Sequence, residues 1–417
     1  MDIQTYKGKN NIHTFLRNGL EVFVVHVDGL QSSGITIGVK YGSIDDLPKK
    51  SGSAHFLEHM IFKGTDRRTP IQIFDDYTSI GAYLNAFTEH ELTLFEAKVF
   101  KGYTVEMLEL MSDIIINSKI QQHELELERG TIISESRMYD NDPEEMFAQH
   151  FLQMLYNKNP IIYPVLGTEK TIKNLSREDI LTSYQKYYNP KNMVLAVYGG
   201  MNSGKAIHSI EKYFSNFDRA GSMNLRKPIE DPNIVSNTTL RKDGLNSVII
   251  ALGLRFGSFD PSKINEYASL MLISDILSKN LFNEIREKRG LAYSSNSTYV
   301  LMGTYSYLAA SSQSLKKNKQ EVMDIMLNQI RRLESGKISE KELEISKRNF
   351  VISNKLRKEN SLSMSSGIVT DRLTFNDFNL SDNIIKQISK IDIKGIRNHL
   401  RNLIKVDNCT VVVMEPG

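Results

Sequence analysis

The sequence predicts an α+β protein made of two similar domains in tandem, and three observations lead there. At 417 residues the chain exceeds one average core, and two domains of roughly 200 residues could each bury a core without staples. Two short motifs recur at almost the same offset. Each half also opens on strand-like alternation and then moves into longer helical patterns, without the strict βαβ alternation of a parallel doubly wound sheet.

The repeat is read directly. "GVKYGSID" at Gly38 to Asp45 returns as "GLRFGSFD" at Gly253 to Asp260, and "NMVLAVYGG" from Asn192 parallels "NCTVVVMEPG" from Asn408. The step from Gly38 to Gly253 and the step from Asn192 to Asn408 agree to within a single position. One apolar strand resembles another, but agreement in offset points to a duplicated domain. The halves are expected at 1–216 and 240–417, joined by a linker over 217–239 in which two prolines, a glycine and little apolar periodicity stand together.

Along the first half, "GLEVFVVHV" (Gly19 to Val27) alternates as a strand does, and "SVIIALGLRFG" (Ser247 to Gly257) opens the second half in the same way. "LSREDILTSYQKYYNP" carries a helix start at Ser176, an acid three residues later at Asp179 and a stop at Pro190. "ISEKELEISKRNF" repeats the device with Ser339 and Glu342. No GxGxxG follows a strand, so a dinucleotide site is not expected.

Composition narrows the partners. Apolar residues are 40% and charged residues 24%, the range of a globular protein, and the formal charge is only +3. No basic block stands beside an aromatic stripe, so nucleic acid is a poor candidate. The lone Cys409 cannot form an intrachain disulfide, and no uninterrupted apolar run approaches membrane-spanning length. The N-terminal stretch lacks the apolar core of a signal peptide. The expectation is a cytoplasmic protein with no membrane partner.

Chemistry concentrates in "SGSAHFLEHMIFKGT", residues 51 to 65, where His55, Glu58 and His59 fall within five positions. On a helix, residues four apart share a face, so both imidazoles can meet one ion. Glu58 lies beside that face and can hydrogen-bond a water there without being a ligand. Neutral imidazole suits zinc, and a catalytic zinc keeps three protein ligands and an open fourth position. The order HxxEH is the inverted counterpart of the HExxH metalloprotease motif; the bland alternative is two helix histidines near a solvated carboxylate. A third ligand is needed. "HELELERGTIISESRMYD" (His123 to Asp140) offers Glu124, Glu128 and Glu135 along one helical stripe, and spacing alone does not choose among them.

These segments resemble the pitrilysin/insulinase family of zinc metallopeptidases, in its mitochondrial-processing-peptidase-like branch. The likeness runs through "HFLEHMIFKGT" at 55 to 65, "GAYLNAFTEHELTLFEAKV" at 81 to 99, "LERGTIISESRMYDNDPEE" at 127 to 145, "LGTEKTIKNLSREDI" at 166 to 180 and "IREKRGLAYS" at 285 to 294. It implies two homologous domains, each a largely antiparallel sheet packed with helices, and a bound zinc ion in each chain. It also selects the third ligand: the distance in sequence from His59 to Glu135 is the one the family keeps, which makes Glu135 the match and leaves Glu128 as a supporting carboxylate.

Further roles follow from the same resemblance. Arg286 and Tyr293 of the second domain match an arginine and a tyrosine that reach toward the substrate carbonyl, and would be catalytic together with Glu58. "LNAFT" resembles an edge strand on which an extended substrate pairs through Asn85, Ala86 and Phe87, mostly by backbone groups. The family encloses peptides in a chamber of four such domains, which implies a homodimer for a two-domain chain. A non-catalytic or hetero-oligomeric subunit of a processing-peptidase-like assembly is the alternative.

Two departures stand out. Relatives usually carry a glycine-rich turn before the arginine, whereas "SDILSKNLFNEIREKRG" has no glycine there. Ser134 occupies a position that is often acidic and is assigned no role. At the repeat offset His55 and His59 fall on Leu270 and Ser274, so the second half is expected to bind no metal.

Overall fold

The computed structural model of the chain describes residues 11–227, 229, 231 and 235–417. Two compact units emerge, and the chain crosses between them. Of the described residues, the first unit takes those within 11–138, 163–225 and 355–380, and the second those within 139–162, 226–354 and 381–417. Part of the expected linker (228, 230 and 232–234) lies outside the described residues. Its beginning packs into the first unit, where Phe217 is buried and Arg219 stacks on the Tyr184 ring at 4.0 Å. Its last residues already belong to a strand, Asn237–Lys242.

The first unit is built on a six-stranded sheet. Its strands are β1 (Asn11–Phe15), β2 (Glu21–His26), β3 (Ser32–Val39), β4 (Tyr83–Thr88), β5 (Thr93–Phe100) and β6 (Met193–Gly199), in the spatial order β1-β2-β6-β3-β5-β4. All neighbours are antiparallel except β2 and β6. The second unit has β7 (Asn237–Lys242), β8 (Val248–Phe256), β9 (Ala292–Leu301), β10 (Ser306–Ser314) and β11 (Thr410–Pro416), in the order β7-β11-β8-β10-β9 with β7 and β11 parallel.

Without β1, the two orders are one order written twice. Register agrees as well. Gly38 of β3 pairs with Leu94 and Val194, and Gly253 of β8 pairs with Ala309 and Thr410, so each partner moves by the same step as the glycine to within one position. The motif repeat therefore reports a duplicated sheet. The two largely antiparallel sheets packed with helices bear out the α+β expectation.

Sheet faces explain the apolar sequence of β6, MVLAVYG, which is buried along its whole length because both faces are covered. One face meets Phe56, Leu57, Met60, Met111 and Ile210 from helices that follow in the first half of the chain. The other face, with Phe23, Leu94, Val194 and Ala196, is covered by Val369 and Leu373 of the helix Ser361–Phe375. In the second unit the sheet residues Ile249, Ala251, Val412 and Met414 pack against Phe147, Phe151 and Leu155 of the helix Pro143–Leu155. Each sheet thus receives its cover from a segment contributed by the other half of the chain.

The repeated glycines make room for these covers. A β-carbon on Gly38 would run into Val369 and Leu373, and one on Gly253 would stand 2.6 Å from the Phe151 ring. Polar contacts fix the helix over the first sheet: Thr36 and Ser365 hydroxyls lie 2.8 Å apart, and the Arg372 Nε donates to buried Glu21 at 2.8 Å. Among the described residues no helix is long and apolar enough to cross a membrane.

Candidate metal centre

The motif of residues 55–59 lies on α1 (Ser53–Ile61), whose start is set by backbone chemistry. Gly52 adopts φ +94°, and a β-carbon there would sit 2.5 Å from the Leu166 carbonyl oxygen, so only glycine turns the chain into the helix. Asp46 then receives the Gly52 amide at 2.9 Å, satisfying a group that a helix start leaves open, and also accepts from the Tyr41 hydroxyl at 2.7 Å. Burial raises the Asp46 carboxyl to about 7 against these hydrogen bonds.

Ala54, Phe56, Leu57, Met60 and Ile61 point into the core and leave no surface exposed. Their helical spacing turns His55, Glu58 and His59 together onto the remaining face. That face looks toward α2 (Gln122–Asn141), on which Glu128 and Glu135 lie two turns apart.

The Nε2 atoms of His55 and His59 are 3.2 Å apart. Glu135 Oε2 closes a triangle at 3.8 Å from His55 Nε2 and 3.6 Å from His59 Nε2. Ligands about 2.0–2.1 Å from a tetrahedral zinc stand roughly 3.3–3.4 Å from one another. The triangle is of that size, and no other group of three histidine, cysteine or acidic residues among the described residues comes together in this way.

Protonation supports the fit. Burial opposes charge on His59, yet its hydrogen bond to Glu128 and the charges of Glu58, Glu128 and Glu135 outweigh it and raise its pKa. Burial, then the charge of His59, pushes His55 down to about 3. The two Nε2 atoms face each other at hydrogen-bonding distance, where a cation could share both lone pairs. Among the described residues, the buried His55 Nδ1 has no hydrogen-bond partner.

The surrounding groups hold this arrangement. Glu128 Oε1 accepts from His59 Nδ1 at 2.8 Å and fixes the ring, while Lys63 contacts its other oxygen. Burial works against the Glu128 anion, but the hydrogen bonds from His59 and Lys63 carry its pKa below the ordinary carboxylate value. Glu58 is buried beside the triangle and takes the Thr88 hydroxyl on Oε2 at 2.7 Å. Burial raises its pKa, with Thr88 and His59 pulling the other way.

The acidic stripe divides in the structure: Glu128 and Glu135 face the histidines, whereas Glu124 meets His123 at 3.2 Å. Asn85, Ala86 and Phe87 sit on β4, which among the described residues is an edge strand paired with β5 alone. Arg286 and Tyr293 belong to the second unit and lie against each other, the guanidinium 5.1 Å from the tyrosine ring. Leu270 and Ser274 are buried on the helix Ile264–Leu281 of that unit, so core packing has taken the ligand positions. Thr88, Lys63 and Asp46 were not singled out in the sequence; only the "LNAFT" strand and the i+4 position of Lys63 after His59 hinted at two of them.

Two family models match the chain: one described as insulinase (peptidase family M16) over residues 22–169, the other as the peptidase M16 inactive domain over residues 174–350. An uncharacterized zinc protease of Rickettsia felis is 32% identical over 303 residues, covering 71% of this chain and 72% of that one. The chain belongs to peptidase family M16. A further relative of this M16 chain, the uncharacterized zinc protease YmxG of Bacillus subtilis, is 25% identical over 96% of this chain and 97% of its own. The fold matches the crystal structure of a protease from Helicobacter pylori with a TM-score of 0.89 at 23% identity, over 97% of this chain and 99% of that one.

The buried His55 has a consequence for acid stability of the metal-free M16 chain. Its folded pKa, about 3, lies below the ordinary histidine value of 6.5, so the unfolded state takes up the proton first. The stabilisation is complete above about pH 6.5 and falls as pH drops toward 3. Thermal midpoints of the chelator-treated protein should fall over that window, and His55→Phe should flatten the slope.

Proposed function

We propose that the chain is a zinc-dependent endopeptidase that hydrolyses peptides or unfolded polypeptide segments. The observation that carries this is the ligand triangle of His55, His59 and Glu135 with Glu58 buried at its side and Glu128 bracing His59. Bound zinc supplies the Lewis acidity that brings water toward ionisation near pH 7.

The protein's own residues do the rest. His55, His59 and Glu135 hold the ion, and Glu128 keeps the His59 ring turned toward it. Glu58, buried beside the three ligands, accepts a proton from the attacking water and returns it to the leaving amine. The outer edge of β4 takes an extended peptide by strand addition through Asn85, Ala86 and Phe87. Arg286 and Tyr293 act as donors toward the peptide carbonyl, a role that rests on the family resemblance. The reading extends to a homodimer, and to the cytoplasm, where a lone buried Cys409 is at home.

The test uses the purified chain alone. Elemental analysis should find a zinc ion in each chain, and an internally quenched unstructured peptide should be cleaved, with a chelator abolishing cleavage and added zinc restoring it. Light scattering should give a dimer. A chain that binds zinc but cleaves only after a second polypeptide is added would establish the hetero-oligomeric alternative instead.

A further inference from the structure

The segment leading to Arg286 departs from regular helix geometry. The helix Ile264–Leu281 does not end in a glycine-rich turn; it widens into a π-helical turn over Phe282–Glu287. The amide of Lys288 bonds the carbonyl of Asn283, five residues back, at 2.9 Å. Such wide turns cost helix geometry and recur at functional sites. Gly290, at φ +61°, gives its amide to the Arg286 carbonyl at 2.9 Å and turns the chain into β9, which brings Tyr293 back beside Arg286.

Arg286 is held mainly by rings. Its guanidinium carbon lies 5.0 Å from the Phe282 ring centroid and 5.1 Å from that of Tyr293, both within cation–π range. One amino group, Nη1, donates to the Tyr293 carbonyl at 3.3 Å. The ion pair to Glu287 is 3.9 Å long between two side chains that are 43% and 57% exposed, a geometry that fixes little. Tyr293 is itself 83% exposed, so the half-buried Phe282 is the firmer of the two platforms.

We propose that Phe282 is the positioning residue of Arg286: its ring braces the guanidinium so that the remaining N–H groups meet a peptide carbonyl oxygen in one orientation. The π turn sets Phe282 against the guanidinium. The inference rests on the peptidase reading and on Arg286 taking part in it. Phe282 touches no reacting atom; its effect passes through Arg286.

Four zinc-loaded proteins test it on an internally quenched unstructured peptide: wild type, Arg286→Ala, Phe282→Leu and Phe282→Trp. Leucine keeps apolar bulk but offers no π face; tryptophan restores one. Phe282→Leu should lower kcat about 10-fold with KM within about twofold, since misorientation of a transition-state donor acts on turnover. Phe282→Trp should recover most of it.

A spectroscopic measurement accompanies the kinetics. In arginine-labelled wild-type protein the Arg286 side-chain resonances should be displaced by ring currents, and that displacement should shrink in Phe282→Leu and persist in Phe282→Trp. Undisplaced Arg286 resonances in the wild type overturn the proposal whether or not any variant folds. Full activity of Phe282→Leu beside an impaired Arg286→Ala overturns it and leaves the peptidase reading intact. Full activity of Arg286→Ala removes the part assigned to Arg286, and the role of Phe282 with it.

Discussion

Replacing Glu58 by glutamine is expected to leave zinc bound and to remove nearly all peptide cleavage, by about 100-fold to 10,000-fold, the usual contribution of a positioned general base. The ligand atoms that come within 4.8 Å of one another belong to His55, His59 and Glu135, so Glu58 can lose its charge without opening the metal site. Glutamine fills the same space on α1 and its amide oxygen can still accept the Thr88 hydroxyl that now reaches Glu58 Oε2 at 2.7 Å. What it cannot do is accept a proton. Zinc content by elemental analysis and kcat/KM on the same preparation check both halves of the statement. A Glu58→Gln protein that cleaves at a tenth of the wild-type rate would sink the base assignment.

His59→Ala should fail in a different way and lose metal and activity together. Free energies of about 10–16 kcal/mol for structural zinc sites leave roughly 3 kcal/mol or more for each ligand, so affinity should fall by a few hundred-fold, roughly. The substitution also strips buried Glu128 of one of its two partners and leaves it with Lys63. Glu128→Gln, which touches no ion directly, should weaken zinc by only about 10-fold to 100-fold. Competition with a chromophoric chelator separates the two. Equal losses in both variants would mean that Glu128, and not the His59 imidazole, dominates the site.

The comparison of sequence with structure is uneven for physical reasons. His55, Glu58 and His59 could be placed on one helix face because their spacing is local and the apolar Phe56, Leu57, Met60 and Ile61 dictate which face turns inward. The duplicated sheet was legible because strand register is written in glycine and apolar positions, as at Gly38 and Gly253. The choice among Glu124, Glu128 and Glu135 was not legible from periodicity. All three share a stripe, and only the approach of α2 to α1 decides that Glu128 meets Nδ1 and Glu135 faces Nε2 of His59.

Contacts between distant segments were invisible in the same way. The stretch between Glu58 and Thr88 holds no local signal that a hydroxyl will reach the carboxylate. Nor does the amphipathic pattern of a helix say which sheet it will lie on. That is why residues 139–162 and 355–380 sit in the units they do without any trace of it in the chain order.

The crossing of these two segments bears on how the protein can be dissected. A fragment cut after residue 216 keeps every metal ligand, yet it exposes Phe23, Leu94, Val194 and Ala196, and carries Phe147 and Phe151 with nothing to lie upon. Such a piece would be adhesive, with bare patches at two places, and the complementary fragment would share the defect. The seam suggested by composition is therefore the wrong place for scissors: a minimal hydrolase, if one is to be engineered, must retain sequence through the helix that ends at Phe375.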